Sequence, residues 1–171
     1  MPSDPRPPRI SALPSPARAR RASRAAACLA GLALLALAPG AFARTCALAI
    51  GSDDAMRFDR QELRIAADCS EVELTLRHSG RLSATTMGHN WVLTRTADYR
   101  PVAIAGGRAT AANSYLPPGD RRVIAHTPLI GGGQTTTITF STADLQRGGD
   151  YTYFCSFPGH WNLMKGRLVV E

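Results

Sequence analysis

The sequence predicts an all-β fold, an antiparallel sandwich or barrel of about eight short strands with one helical or irregular flap near residues 97–114. Three observations carry this. Short runs with period-2 alternation or β-branched and aromatic enrichment recur along the chain. Clusters of Gly, Pro, Asp and Ser separate them at turn-like spacing. The stretch that lacks both signals is Ala-rich and confined to one place.

Taken in order, Gly51-Ser-Asp-Asp54 reads as a turn. Leu63-Arg64-Ile65 alternates, and so does Glu71-Val72-Glu73-Leu74-Thr75-Leu76-Arg77, which His78-Ser79-Gly80 closes. Trp91–Thr94 is a short apolar run. Residues 97–114 are too long for a hairpin loop and are interrupted by Pro101 and Gly106-Gly107, so they read as a short helix or flap outside the sandwich. Pro117-Pro118-Gly119-Asp120 leads into Arg122–Ala125. Gly131–Gly133 precedes Thr135–Phe140, Gly148-Gly149-Asp150 precedes Tyr151–Phe154, and Arg167–Val170 is the last run. There is no internal repeat.

Residues 1–43 read as a secretory signal peptide. A leader rich in Arg, Pro, Ala and Ser is followed by an apolar run from Cys28 to Ala38 and the small-residue triplet Ala41-Phe42-Ala43, with cleavage expected after Ala43. The apolar run of about 11 residues falls short of the roughly 20 that span a bilayer, although a retained anchor is the alternative. Arg20-Arg21 is a poor twin-arginine signal because Ala22-Ser23-Arg24 follows. Cys28 begins its apolar run, where a lipoprotein Cys would end it.

The full chain carries a net charge of +7 from 20 basic and 13 acidic residues, but residues 44–171 hold 14 against 12, a net +2. The charge excess therefore belongs to the leader. No basic stripe points to nucleic acid, and a near-neutral surface predicts no strong overall steering of partners. The remaining 128 residues suffice for one core. They keep three cysteines, Cys46, Cys69 and Cys155. In an oxidising compartment two should pair and one should be left over. If Cys155 binds metal, the pair is Cys46–Cys69, closing a loop of about 24 residues worth roughly 3 kcal/mol.

Cys155, His160 and Met164 sit on one short loop, Cys155-Ser-Phe-Pro-Gly-His160-Trp-Asn-Leu-Met164, and Met87-Gly88-His89-Asn90-Trp91 supplies a second imidazole. Each has an ordinary reading: Cys155 as a buried thiol, His160 as a surface histidine, Met164 and His89 as core residues. Together they make a soft donor set of one thiolate, two imidazoles and a thioether, which suits a mononuclear copper site. A thioether is a poor fourth ligand for zinc, which wants four good N, S or O donors.

These same segments, with Arg122-Val-Ile-Ala-His126-Thr and Leu129-Ile130-Gly131 between them, resemble the azurins, bacterial blue-copper proteins of the cupredoxin family. The resemblance covers residues 44–171 and implies a Greek-key cupredoxin-like fold. It implies one copper ion held by His89, Cys155 and His160, with Met164 and the Gly88 carbonyl as weak axial donors and Asn90 tying the ligand loops together. It further implies a periplasmic, monomeric carrier of single electrons. The expected partners are redox proteins such as c-type cytochromes, reductases or peroxidases, with no membrane contact once the leader is removed. The docking patch falls on Met87, Phe157, Pro158 and Gly159 around His160. Trp161 stands where azurins carry a small polar residue, and is expected either to extend that patch or to turn inward. Gly107 occupies a position that often bears Met. His78 precedes Ser79 rather than Pro, so it and His126 are read as structural or surface histidines.

Two other classes compete. Copper oxidases and nitrite reductases pass electrons to a second copper through histidines flanking the Cys, whereas Cys155 lies between Phe154 and Ser156 and the chain has only four His. Copper storage or delivery proteins expose Met- and His-rich tracts, which this chain lacks. The expectation is an electron carrier and not an enzyme.

Overall fold

The alternation of residues 71–78 becomes a strand whose Val72, Leu74, Leu76 and His78 are buried while Glu71, Glu73 and Arg77 face out. The structure is a computed structural model that describes residues 43–171; apart from Ala43, the expected signal peptide lies outside the described residues. The elements are β1 (Thr45–Asp53), β2 (Arg57–Phe58), β3 (Glu62–Ile65), β4 (Glu71–His78), α1 (Ala84–Met87), β5 (Val92–Arg95), α2 (Thr96–Gly106), a 3-10 turn at Ala111–Asn113, β6 (Val123–His126), β7 (Thr135–Ser141), β8 (Tyr151–Phe154) and β9 (Lys165–Val170). Among the described residues no helix is long and apolar enough to cross a membrane.

The strands form two sheets, ordered β2-β1-β4-β7 and β3-β9-β8-β5-β6, a Greek-key sandwich. Two features depart from the sequence expectation. First, β1 pairs parallel with β4, and β3 parallel with β9. The chain leaves β1, crosses to the other sheet as β3, and returns to β4 in the same direction, which a hairpin cannot do. Second, Gly51-Ser52-Asp53 is the end of the longest strand and not a turn. Its backbone is claimed by Phe58 and Arg57 of β2 on one side and by Arg77 and His78 of β4 on the other.

Inward residues of both sheets make one core: Ile50, Val72, Leu74 and Leu76 from the first, Leu63, Ile65, Leu93, Tyr153 and Leu168 from the second. Trp91, fully buried, stacks between them on Tyr153 and Phe140 at 6.0 and 5.7 Å. Cys46 and Cys69 are disulfide-bonded and clip the start of β1 to the turn before β4.

The expected flap is α2 followed by the 3-10 turn. Pro101 lies inside α2 and forfeits one helical hydrogen bond. Packing outweighs that loss: Tyr99, Val102 and Ala103 bury against Val92 and Phe154 on the outer face of the second sheet, with Leu116 closing the cluster. α2 is thus fastened to strands β5 and β8, which lead directly out of and into the two ligand-bearing segments.

Candidate metal centre

The donors come from two loops at one end of the sandwich. His89 lies between α1 and β5, where its N–H and carbonyl pair with Ile130 at 2.9 Å each. Gly88 must be glycine, because a Cβ there would stand 2.3 Å from the Ala84 carbonyl oxygen. Cys155, His160 and Met164 lie on the loop joining β8 to β9. That loop turns through Gly159 at φ +84° and is closed by two hydrogen bonds, Met164 N–H to the His160 carbonyl (2.8 Å) and Cys155 N–H to the Met164 carbonyl (3.0 Å).

Nδ1 of His89 and Nδ1 of His160 stand 3.2 Å apart, and Sγ of Cys155 lies 3.8 and 3.7 Å from them. A point about 2.1 Å from all three exists at the centre of that triangle, within the range of metal–nitrogen and metal–sulfur bonds. The residues therefore fit a three-coordinate soft metal site. Among the described residues this is one buried group of metal-ligating side chains. The Gly88 carbonyl oxygen is 3.8 Å from the Cys155 sulfur. Met164 is fully buried in the same core as Cys155.

Protonation is prepared by the surroundings. Nε2 of His89 donates to the Asp53 carbonyl at 2.8 Å, so the ring proton is on Nε2 and the Nδ1 lone pair faces the site. Burial lowers the pKa of His89 and lowers that of His160 to about 4, so both imidazoles are neutral near pH 7. Burial also pushes the Cys155 thiol up to about 12. Without metal the thiol keeps its proton.

Asn90, next to His89, is hydrogen-bonded both to Ser156, next to Cys155, and to the Ser114 segment. Its Oδ1 accepts from Ser156 N–H at 2.9 Å, and its Nδ2 donates to Ser156 Oγ at 2.8 Å and to the Ser114 carbonyl at 3.2 Å. Ser156 Oγ donates to that same carbonyl at 2.5 Å. Ser114 adopts φ +53°, a left-handed conformation unfavourable for a side-chain-bearing residue. The strain aims its carbonyl at two donors.

The other expected residues fall as follows. His78 is fully buried: Nδ1 accepts from Gly80 N–H (3.0 Å), Nε2 donates to the Met87 carbonyl (2.9 Å), and the ring stacks on His89 at 4.4 Å. Both nitrogens are engaged, so it supports the site and does not ligate. His126 is exposed, and Gly107 is exposed just past the end of α2. Pro158 and Gly159 are exposed, Met87 and Phe157 half-buried, and His160 itself 3 % exposed beneath the Phe157 ring at 4.5 Å. Trp161 is half-buried edge-on against Tyr99 of α2 at 5.9 Å, and Tyr99 Oη donates to the Trp161 carbonyl at 2.7 Å. The Asp53 carbonyl, Ser114, Ser156 and Tyr99 escaped the sequence reading. Backbone acceptors and tertiary clamps carry no local pattern.

Residues 44–171 match the family model described as copper binding proteins, plastocyanin/azurin family. The chain is 45% identical over 137 residues to an azurin of Bordetella pertussis, covering 80% of this chain and 91% of that protein. It is 46% identical over 125 residues to azurin-1 of Alcaligenes xylosoxydans xylosoxydans, covering 73% and 97%. The fold superposes with TM-score 0.71 on the solved structure of an azurin (Az-iso2) from the methylotroph Methylomonas sp. strain J, at 43% identity over 74% of this chain and 98% of that one.

Proposed function

Because this chain belongs to the plastocyanin/azurin family of copper-binding proteins, we propose that it carries single electrons between redox proteins of the periplasm and catalyses no reaction of its own. Copper would be held principally by His89, Cys155 and His160, with Met164 and the Gly88 carbonyl as weaker donors. The observation that carries this reading is the convergence of two imidazole nitrogens and one thiol sulfur within 3.8 Å of one another in a buried pocket.

Copper, when bound, supplies a one-electron couple between Cu(I) and Cu(II). The chain's part is to hold the donors still in both states. Asp53 and Ile130 fix His89. Asn90 locks the residue after Cys155 to the residue after His89, and full burial of Cys155 and His89 keeps water away. His160, with Met87, Phe157, Pro158 and Gly159 around it, serves as the electron port, a small apolar patch suited to brief contacts. The partners are redox proteins such as c-type cytochromes, reductases or peroxidases, met by a monomer.

Residues 1–43 are the export signal, cut after Ala43. The family match beginning at Arg44 and the Cys46–Cys69 disulfide, which requires an oxidising compartment, support this.

The test is Cys155→Ser. The copper-loaded parent should be intensely blue from thiolate-to-copper charge transfer, and the variant should lose the colour while keeping its β-sheet circular dichroism. A variant that stays blue would refute the ligand assignment.

A further inference from the structure

The near-neutral net charge hides a local arrangement beside the ligand loop. Two cations converge on the aromatic pair formed by Tyr99 and Trp161. The Arg100 guanidinium lies 5.8 Å from the Trp161 ring centroid, and the Lys165 ammonium 5.6 Å from that of Tyr99. Both side chains are exposed. Among the described residues neither forms an ion pair. Glu62 pairs with Arg64 and Asp120 with Arg122, and Asp98 of α2 forms no ion pair among the described residues. Next to this pair stand two of the exposed large apolar residues, Ile104, one turn along α2 from Arg100, at 63 % and Leu163 of the ligand loop at 67 %.

We propose that this flank, Arg100, Trp161 and Lys165 with Ile104 and Leu163, is a docking surface for an acidic redox protein, one whose carboxylates surround its own electron-exchange site. The proposal rests on the electron-carrier reading and specifies the partner's chemistry. Charge complementarity is the argument. Unpaired cations, one on α2 and one at the start of β9, each held over an aromatic face, lose little side-chain freedom when they meet a carboxylate. The exposed apolar side chains of Ile104, one turn from Arg100, and Leu163, two residues before Lys165, provide area that becomes dry on contact. The surface is also pre-positioned, because Tyr99 fastens α2 to the carbonyl of Trp161, the residue after His160. A partner seated here lies against the ligand loop itself.

The experiment compares the copper-loaded parent with Arg100→Gln/Lys165→Gln. A control, Arg44→Gln/Arg147→Gln, removes the same charge at the opposite end of the sandwich, before β1 and β8. Stopped-flow exchange is measured with reduced cytochrome b5, an acidic haem protein, and with reduced mitochondrial cytochrome c, a basic one. In each, one electron leaves the ferrous haem and reduces the oxidised copper site. At about 10 mM ionic strength, where charges act over roughly 30 Å, removing two positive charges from the contact should slow exchange with the acidic protein about fivefold. The control should change it less than about twofold, and the parent and flank variant should converge in 0.5 M salt, where screening is nearly complete. Exchange with the basic protein should not slow. A second readout is independent of turnover: in the Cu(I) protein, the Trp161 indole N–H resonance should shift on titration with oxidised cytochrome b5, and less so in the flank variant. Equal slowing by flank variant and control, or unchanged exchange and an unmoved indole resonance, overturns the proposal alone. Exchange with neither haem protein overturns the electron-carrier reading and the proposal with it.

Discussion

Asn90→Ala tests whether the two ligand loops are held by one side chain. The substitution removes three buried hydrogen bonds. Their losses differ. Ser156 N–H has Asn90 Oδ1 as its partner and would be left buried and unpaired, a cost of about 1–3 kcal/mol. Ser156 Oγ and the Ser114 carbonyl keep each other, so each bond from Nδ2 costs only its net worth, about 1 kcal/mol. The sum is about 3–5 kcal/mol, or a melting temperature lower by roughly 10–20 °C for a domain of this size. The measurement is urea unfolding of the metal-free protein, which separates loop clamping from stabilisation by bound copper. Asn90→Asp should also destabilise, because a carboxylate oxygen then faces the Ser114 carbonyl in place of a donor. A loss below about 1 kcal/mol for Asn90→Ala, with an unchanged copper spectrum, would show that the loops are held by packing alone.

Two further outcomes are expected. Met164→Leu conserves volume in a fully buried position and should cost less than about 1.5 kcal/mol; copper should remain bound and the potential should rise, as voltammetry of the loaded protein will check, whereas inability to retain copper would make Met164 a principal ligand. Metal uptake at pH 7 should release about one proton, from the Cys155 thiol held near 12, measurable by pH-stat titration. The His160 pKa lies below its unfolded value of 6.5, so the unfolded chain takes the proton first, and metal-free stability should fall as pH drops from about 6.5 to about 4. Flat stability across that window would contradict a buried neutral His160.

The legible parts of the fold are those where local pattern and tertiary role agree. β4 alternates because one face meets the core, and the alternation is in the letters. β1 has no such mark: Ala47, Ala49, Gly51 and Ser52 are weak strand formers, and only pairing with β2 and β4 makes them a strand. α2 was half legible, since Pro101 argues against a helix that Tyr99, Val102 and Ala103 stabilise from below. At the metal centre the donors announce themselves by residue type. What orients them does not, because the Asp53 and Ser114 carbonyls belong to every residue's backbone and acquire a role only through position. For Trp161 the sequence offers either an extension of the docking patch or inward packing, and the ring packs against Tyr99 while part of it stays exposed.

Cys155, His160 and Met164 come from a single connection between adjacent antiparallel strands, while His89 is contributed from 66 residues earlier in the chain. Beyond Trp161, whose carbonyl Tyr99 holds, the loop is closed by hydrogen bonds of its own, and β8 and β9 pair in register on either side of it. Such a hairpin is a replaceable module. Insertions or deletions between Trp161 and Met164 can re-space the donors, and so alter the electronic character of the centre, without breaking the bonds that hold Ser156 and Trp161. Changes around His89 have no such freedom, since that segment is stitched into both sheets. Variation among descendants of this chain should therefore accumulate in the loop's length and leave the His89 segment fixed.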